Sequence, residues 1–83
     1  MDKSIFTEQY AVFLRVLRKT RQEAELTQVD LAERLNQTQS FISKCERGER
    51  RLDVVELHVF CQAMGVAMAD FIQCFEKAIR GNV

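Results

Sequence analysis

LTQVDLAERLNQTQSFISKCERGERR, residues 26–51, decides how this chain folds. Thr27 can accept a hydrogen bond from the backbone N–H three residues on, where Asp30 stands and can reach back to the N–H of Thr27. That reciprocal arrangement is a capping box, and it starts a helix. The helix runs from Gln28 to Leu35, with Leu31, Ala32 and Leu35 inward and Ala32 small enough to let a second helix cross closely. Asn36 ends it, because asparagine tolerates the left-handed conformation of a tight turn. Thr38 caps the next helix, Gln39 to about Arg47, whose inner face is only Ile42 and Cys45. Gly48 follows as the residue that takes positive φ after a helix end. Two short helices joined by the turn Asn36–Thr38 form a helix-turn-helix.

The flanking sequence supplies the elements that support it. Residues 7–24 read as a helix capped by Thr7, with Tyr10, Phe13, Leu14 and Leu17 at i, i+3, i+4, i+7 and Arg15, Arg18, Lys19 and Gln22 on the other side. A fourth helix fits 53–64, with Asp53 as N-cap, then Val54, Leu57, Phe60, Cys61 and Met64, closed by Gly65. A fifth fits 68–80, with Met68, Phe71, Ile72, Phe75 and Ile79 apolar. The chain has no proline and only three glycines, so few positions interrupt helix. The expectation is an all-α, five-helix fold, with residues 1–83 as one domain, the helix-turn-helix at about 27–47, and no internal repeat.

Apolar residues at 47% and charged residues at 29% place the chain among folded globular proteins rather than disordered ones. No apolar run approaches the roughly 20 residues that cross a bilayer, and MDKSIFTEQY lacks a signal-peptide pattern, so no membrane partner and a cytoplasmic location are expected. Cys45, Cys61 and Cys74 are odd in number with no CxxC, and the lone His58 has no second metal-type ligand at helical spacing. Reduced cysteines used as small core residues, with no metal and no cofactor, is the reading. Twelve basic and twelve acidic residues cancel, but they are not evenly spread. Arg15 to Arg21 holds four basic residues and no acid; Lys44, Arg47, Arg50 and Arg51 form a second group, diluted by Glu46 and Glu49. Acids collect at Glu23, Glu25, Asp30 and Glu33 and again from Asp53 to Asp70. The molecule is dipolar with one basic face, and distribution rather than net charge governs attraction to phosphate.

The stretch 26–51 resembles the Cro/C1-type, or XRE, family of helix-turn-helix transcriptional regulators: a Leu-Thr-Gln start, Leu-Ala in the first helix of the motif, a Gln-Ser-aromatic-Ile-Ser run, and Glu-Arg-Gly at the end. The likeness continues through LHVFCQAMGVAMADFI and covers roughly residues 10–75. It implies a lambda-repressor-like fold and double-stranded DNA as the partner. Three positions depart from the family pattern: Glu25 stands where glycine is common, Asn36 replaces a turn glycine, and Cys45 replaces a branched aliphatic.

Geometry and resemblance together assign roles. Gln39, Ser40, Ser43 and Lys44 lie opposite Ile42 and Cys45 and are the candidates for base-edge contact: glutamine suits adenine, lysine suits guanine O6 and N7, and serine suits either partner type. Phe41 flanks this face, packing on a thymine methyl or the sugar–phosphate chain, or else into the core. Gln28 opens the first helix of the motif, where family members clamp a phosphate with the side chain and the helix N-terminus. Arg47, Arg50 and Arg51 are candidates for phosphate contacts or are simply solvated charges. In similar proteins an arginine late in the first helix pairs with the glutamate ending the recognition helix; Arg21 and Glu46 hold those positions.

One such motif reads about half a turn of duplex, and members of the family pair about a two-fold axis so that two recognition helices enter grooves ~34 Å apart. The stripe Met68, Phe71, Phe75 and Ile79 is the candidate homodimer interface, with Phe71 and Ile72 expected inward and Phe75 and Ile79 toward the partner. The expected function is a sequence-specific DNA-binding transcriptional regulator on a palindromic operator. Among small stand-alone regulators, a restriction-modification controller protein fits the length and C-terminal helix best. The alternative is a protein-interaction module, an antitoxin or adaptor, on the same fold, which the zero net charge favours. An enzyme is disfavoured: there is no carboxylate pair, Ser/His/Asp set, metal spacing or Gly-rich phosphate loop, and little room for a small-molecule pocket.

Overall fold

The computed structural model describes residues 3–81. They form five helices: α1 Lys3–Glu23, α2 Gln28–Leu35, α3 Gln39–Glu46, α4 Val54–Met64 and α5 Met68–Gly81. Among the described residues there is no strand. The capping chemistry read from the sequence sets most of the boundaries. Thr27 Oγ1 accepts from the Asp30 N–H at 3.0 Å, and Asp30 Oδ2 accepts from the Thr27 N–H at 2.9 Å. Asp53 and Glu56 form the same reciprocal box at the start of α4. Asn36 closes α2 at φ 55°, its N–H pointing back to the carbonyls of Ala32 and Glu33.

The start of α1 differs from expectation. The helix begins at Lys3, so Thr7 lies inside it rather than at its cap. No glycine or proline stands between Lys3 and Thr7 to stop the helix from running upstream. The other end of α1 closes as it would with glycine: Glu25 adopts φ 61°, and the Leu26 N–H reaches the Arg21 carbonyl at 3.2 Å. The substituted position therefore changes the strain of the turn, not its path.

The core gathers residues from all five helices. Leu17 of α1, Leu31 of α2, Ile42 and Cys45 of α3 and Cys61 of α4 are all but inaccessible, and Phe71 of α5 is buried with them. Phe13 joins α1 to α5 through edge-on contacts to Phe71 and Phe75, with ring centroids 5.8 and 5.9 Å away. Such ring pairs add about 0.5–1.5 kcal/mol beyond the area they bury. Arg34 ties α2 to the end of α4, its Nη1 donating to the Ala63 carbonyl at 2.8 Å. Cys45 and Cys61 are buried as expected, and burial pushes both thiols up; Cys74 differs, lying exposed on α5. His58 is exposed on α4.

The apolar stripe of α5 is arranged differently from expectation. Phe71 is inside the subunit at 3% exposure, and Ile72 is outside at 42%. Met68, Phe75 and Ile79 are half-buried against the subunit's own core. Phe71 and Ile72 are adjacent, and on a helix adjacent residues are turned about 100° apart, so only one can face inward. Val54, in the first turn of α4, lies outside at 67% exposure.

Candidate nucleic-acid interface

α3 is an eight-residue helix with two unlike sides. Thr38 caps it, its Oγ1 accepting from the Phe41 N–H at 3.1 Å. Ile42, Cys45 and Glu46 are its buried residues, and the first two seat it on the core. Gln39, Ser40 and Lys44 are exposed, and Ser43 is half-buried. The four residues assigned to base edges therefore share one side of one helix, away from the two anchors. Phe41 sits between the sides: its ring is 6.3 Å from that of Phe60, and the Arg50 guanidinium lies over it at 4.9 Å. The core position is the one it occupies, with Arg50 covering its outer face.

Glu46 is the buried charge that orients this helix. Its side chain is fully enclosed, and its Oε2 accepts from Arg21 Nε at 2.6 Å while Oε1 accepts from Arg21 Nη2 at 3.1 Å. The planar fork of Arg21 meets the carboxylate in bidentate geometry. The remaining Nη1 donates to the Leu26 carbonyl at 2.8 Å, so the guanidinium also fixes the turn into α2. The pair expected from the resemblance is thus formed. Two further partners carry no sequence signal of their own. Gln28 Nε2 donates to Glu46 Oε1 at 3.0 Å, and Arg18 lies 3.6 Å from the same oxygen. Because Gln28, Arg18 and Arg21 are distant from Glu46 in sequence, only the folded geometry brings them together. No buried side-chain polar atom among the described residues lacks a hydrogen-bond partner.

The arginines after α3 are exposed, and each is engaged within the chain. Arg47 Nε pairs with Glu49 at 2.8 Å and its Nη1 donates to Ser43 Oγ. Arg50 Nη2 pairs with Glu56 at 2.6 Å, which links the loop to the cap of α4. Arg51 lies 4.1 Å above the ring of Tyr10. The hydrogen bonds to Arg47 and Arg50 hold the carboxyls of Glu49 and Glu56 below the usual carboxylate range. A guanidinium in an exposed pair of this kind can exchange its carboxylate for a phosphate at small cost, because exposed pairs are worth only about 0–1 kcal/mol. Among the described residues, no group of three or more His, Cys, Asp or Glu is placed to hold a metal ion. No single described helix is long and apolar enough to cross a membrane.

A family model described as a helix-turn-helix domain matches residues 11–71. The fold is similar to an XRE-family-like protein from Pseudomonas syringae pv. tomato str. DC3000, with a TM-score of 0.82 and 40% identity over 89% of this chain and 90% of that one. It is also similar to the wild-type restriction-modification controller protein C.Esp1396I, with a TM-score of 0.80 and 29% identity over 88% of this chain and 95% of that one. A point mutant of the same controller protein aligns with 30% identity and the same TM-score, over 86% of this chain and 95% of that one. No curated protein matches the sequence significantly. The matched span contains the capping box, the Asn36 turn and the whole of α3, and on these grounds the chain belongs to the XRE, Cro/C1-type family of helix-turn-helix proteins and is a DNA-binding transcriptional regulator.

Proposed function

We propose that this regulator binds a palindromic operator as a homodimer, with α3 of each subunit in the major groove. The observation that carries the reading is the division of α3 into a polar exposed side and a side locked by Ile42, Cys45 and the enclosed Glu46. Gln39, Ser40, Ser43 and Lys44 contact base edges, each by the pairing its donors and acceptors permit. Gln28, Arg47, Arg50 and Arg51 contact the backbone, with Phe41 packed beneath. Gln28 does not have to abandon Glu46 to do so, since a side-chain amide carries two N–H donors and Glu46 takes one. A restriction-modification controller protein matches this reading in size, since C.Esp1396I aligns over 95% of its own length.

Selection from a random pool of duplexes, with wild type and Lys44→Ala compared, tests the reading. An enriched inverted repeat with half-sites about one turn apart, relaxed at one position by Lys44→Ala, is expected. Affinity should fall steeply with salt, because each phosphate contact releases counterions. Absence of enrichment even at low salt would overturn the reading in favour of a protein partner.

A further inference from the structure

One acid stands among the residues assigned to DNA. The loop that leaves α3 folds back on it, with the Glu49 N–H reaching the Lys44 carbonyl at 2.9 Å. The Glu49 carboxylate accepts from Arg47 Nε at 2.8 Å, and Arg47 Nη1 in turn donates to Ser43 Oγ. The hydrogen bond and charge of Arg47, and after them the charge of Lys44, hold the Glu49 carboxyl below its usual range. Arg47 and Lys44, both proposed to face the duplex, thus flank one carboxylate, and Ser43 is tied to it through Arg47. The neighbouring pair serves the fold as well. Glu56 accepts from the Asp53 N–H at 2.9 Å in the cap of α4, and Arg50 covers the Phe41 ring. The Glu49 side chain has no cap or core to serve: among the described residues Arg47 is its hydrogen-bond partner, and the two side chains are 55% and 51% exposed.

We propose that Glu49 occupies Arg47 in place of a DNA phosphate and so lowers the affinity of the protein for any duplex, whatever its sequence. A carboxylate offers the planar guanidinium the same kind of oxygen acceptors as a phosphate, so the two compete for one fork. To reach the backbone, Arg47 exchanges Glu49 for phosphate, and the vacated carboxylate is left beside the duplex. The counterion that the phosphate releases is then offset by the one that Glu49 takes up. The effect is uniform across sequences, because phosphate contacts carry no sequence information. The inference rests on the operator reading above and deepens it. Arg51, stacked on Tyr10 with no carboxylate partner among the described residues, meets phosphate without such an exchange. Arg47 meets it only at the expense of Glu49.

Fluorescence anisotropy of the full chain on a duplex of the selected sequence and on an unrelated duplex, from about 50 to about 200 mM salt, tests this. Glu49→Gln is expected to bind both duplexes at least about threefold more tightly than wild type, the scale of one exposed pair. Its plot of log affinity against log salt should be steeper by about 0.9, the share of one phosphate. Its thermal melt should be unchanged, since the pair is exposed. Glu76→Gln removes the same charge from an exposed pair with Arg80 on α5 and should bind like wild type. A Glu49→Gln variant that binds no more tightly than wild type overturns the proposal, because Glu49 then orients Arg47 or is a bystander. An equal gain in Glu76→Gln overturns it in favour of net charge, and a gain on the selected duplex alone overturns it in favour of base reading. The unrelated duplex separates this from the operator reading. A wild type that enriches no sequence sinks operator binding; Glu49→Gln binding the unrelated duplex more tightly than wild type then still upholds Glu49 as the competitor, and binding it no more tightly overturns both.

Discussion

Replacing Glu46 by alanine removes the acceptor on which three side chains converge. The carboxylate is fully enclosed and Arg21 is nearly so, with its side chain 10% exposed. In Glu46→Ala the guanidinium keeps one bond, to the Leu26 carbonyl, and Gln28 loses its acceptor. Breaking one side of a buried pair costs about 3–5 kcal/mol, because the remaining charge stays buried without compensation. A chain of this size has roughly 5–15 kcal/mol in total and loses about 4–8 °C of Tm per kcal/mol, so the variant should melt at least about 12 °C below wild type. Urea and thermal unfolding followed by circular dichroism measure this. The double replacement Arg21→Met, Glu46→Leu removes both charges and should recover most of the loss, since buried pairs are often replaceable by apolar residues of similar volume. DNA affinity of Glu46→Ala, measured where it is still folded, should also fall, because α3 loses the bond that sets its angle to α1. A loss of less than about 1 kcal/mol in Glu46→Ala would refute the reasoning, because that is the range of an exposed pair rather than an enclosed one.

Two further outcomes follow from the loops and caps. Asp30 is held below the ordinary carboxylate range chiefly by the backbone N–H of Thr27, Glu49 by Arg47 and Glu56 by Arg50. A carboxyl depressed in the folded state binds its proton more weakly there than in the unfolded chain, so its contribution is complete at neutral pH and is lost as pH falls below about 4.5. Urea midpoints should be level from pH 7 to about 5 and drop below that, with a shallower drop in Glu56→Gln; a midpoint that rises on acidification contradicts the assignment. At Gly48, φ is +80° and an added Cβ would stand 3.0 Å from Leu14 Cδ1, whereas at Gly65, φ +76°, it would meet nothing within 4 Å. Both alanine variants lose the roughly 1–2 kcal/mol of a left-handed residue, and Gly48→Ala should lose more because the Leu14 side chain must also shift; equal midpoints would count against that contact.

What the sequence makes legible is local. The box of Thr27 and Asp30, the left-handed Asn36 and the cap Thr38 each act within four residues, and each appears in the structure where the sequence puts it. Ile42 and Cys45 are readable too, three residues apart on one side of α3, but Phe41 beside Ile42 can be read either way, and only the fold sets its ring against Phe60. α4 and α5 do offer a choice. Val54 and Val55, or Phe71 and Ile72, are adjacent and both apolar, and only the packing of Phe71 against Phe13 decides that Ile72 stays outside. The convergence of Gln28 and Arg18 on Glu46 has no periodicity to announce it, since it joins three helices. On the exposed side of α3 and the loop after it, the pattern picks out polar residues but not their engagements: Arg47 with Glu49 and Ser43, and Arg50 with Glu56, are visible only in the fold.

The separation of duties along α3 bears on how such a regulator can diverge. Gln39, Ser40 and Lys44 take no part in the Glu46 cluster or the core, while Ile42, Cys45 and Glu46 are wholly inside. Mutations at the three outer positions can therefore drift at little thermodynamic penalty, since exposed substitutions are usually within about 0.5 kcal/mol. Ser43 has less of this freedom, being half-buried with its Oγ accepting from Arg47. If α3 reads the operator as proposed, paralogues arising by duplication can acquire new target sequences without first acquiring a stabilising mutation, and a designer can exchange the outer residues of α3 while leaving Arg21, Gln28 and Glu46 untouched as a fixed chassis.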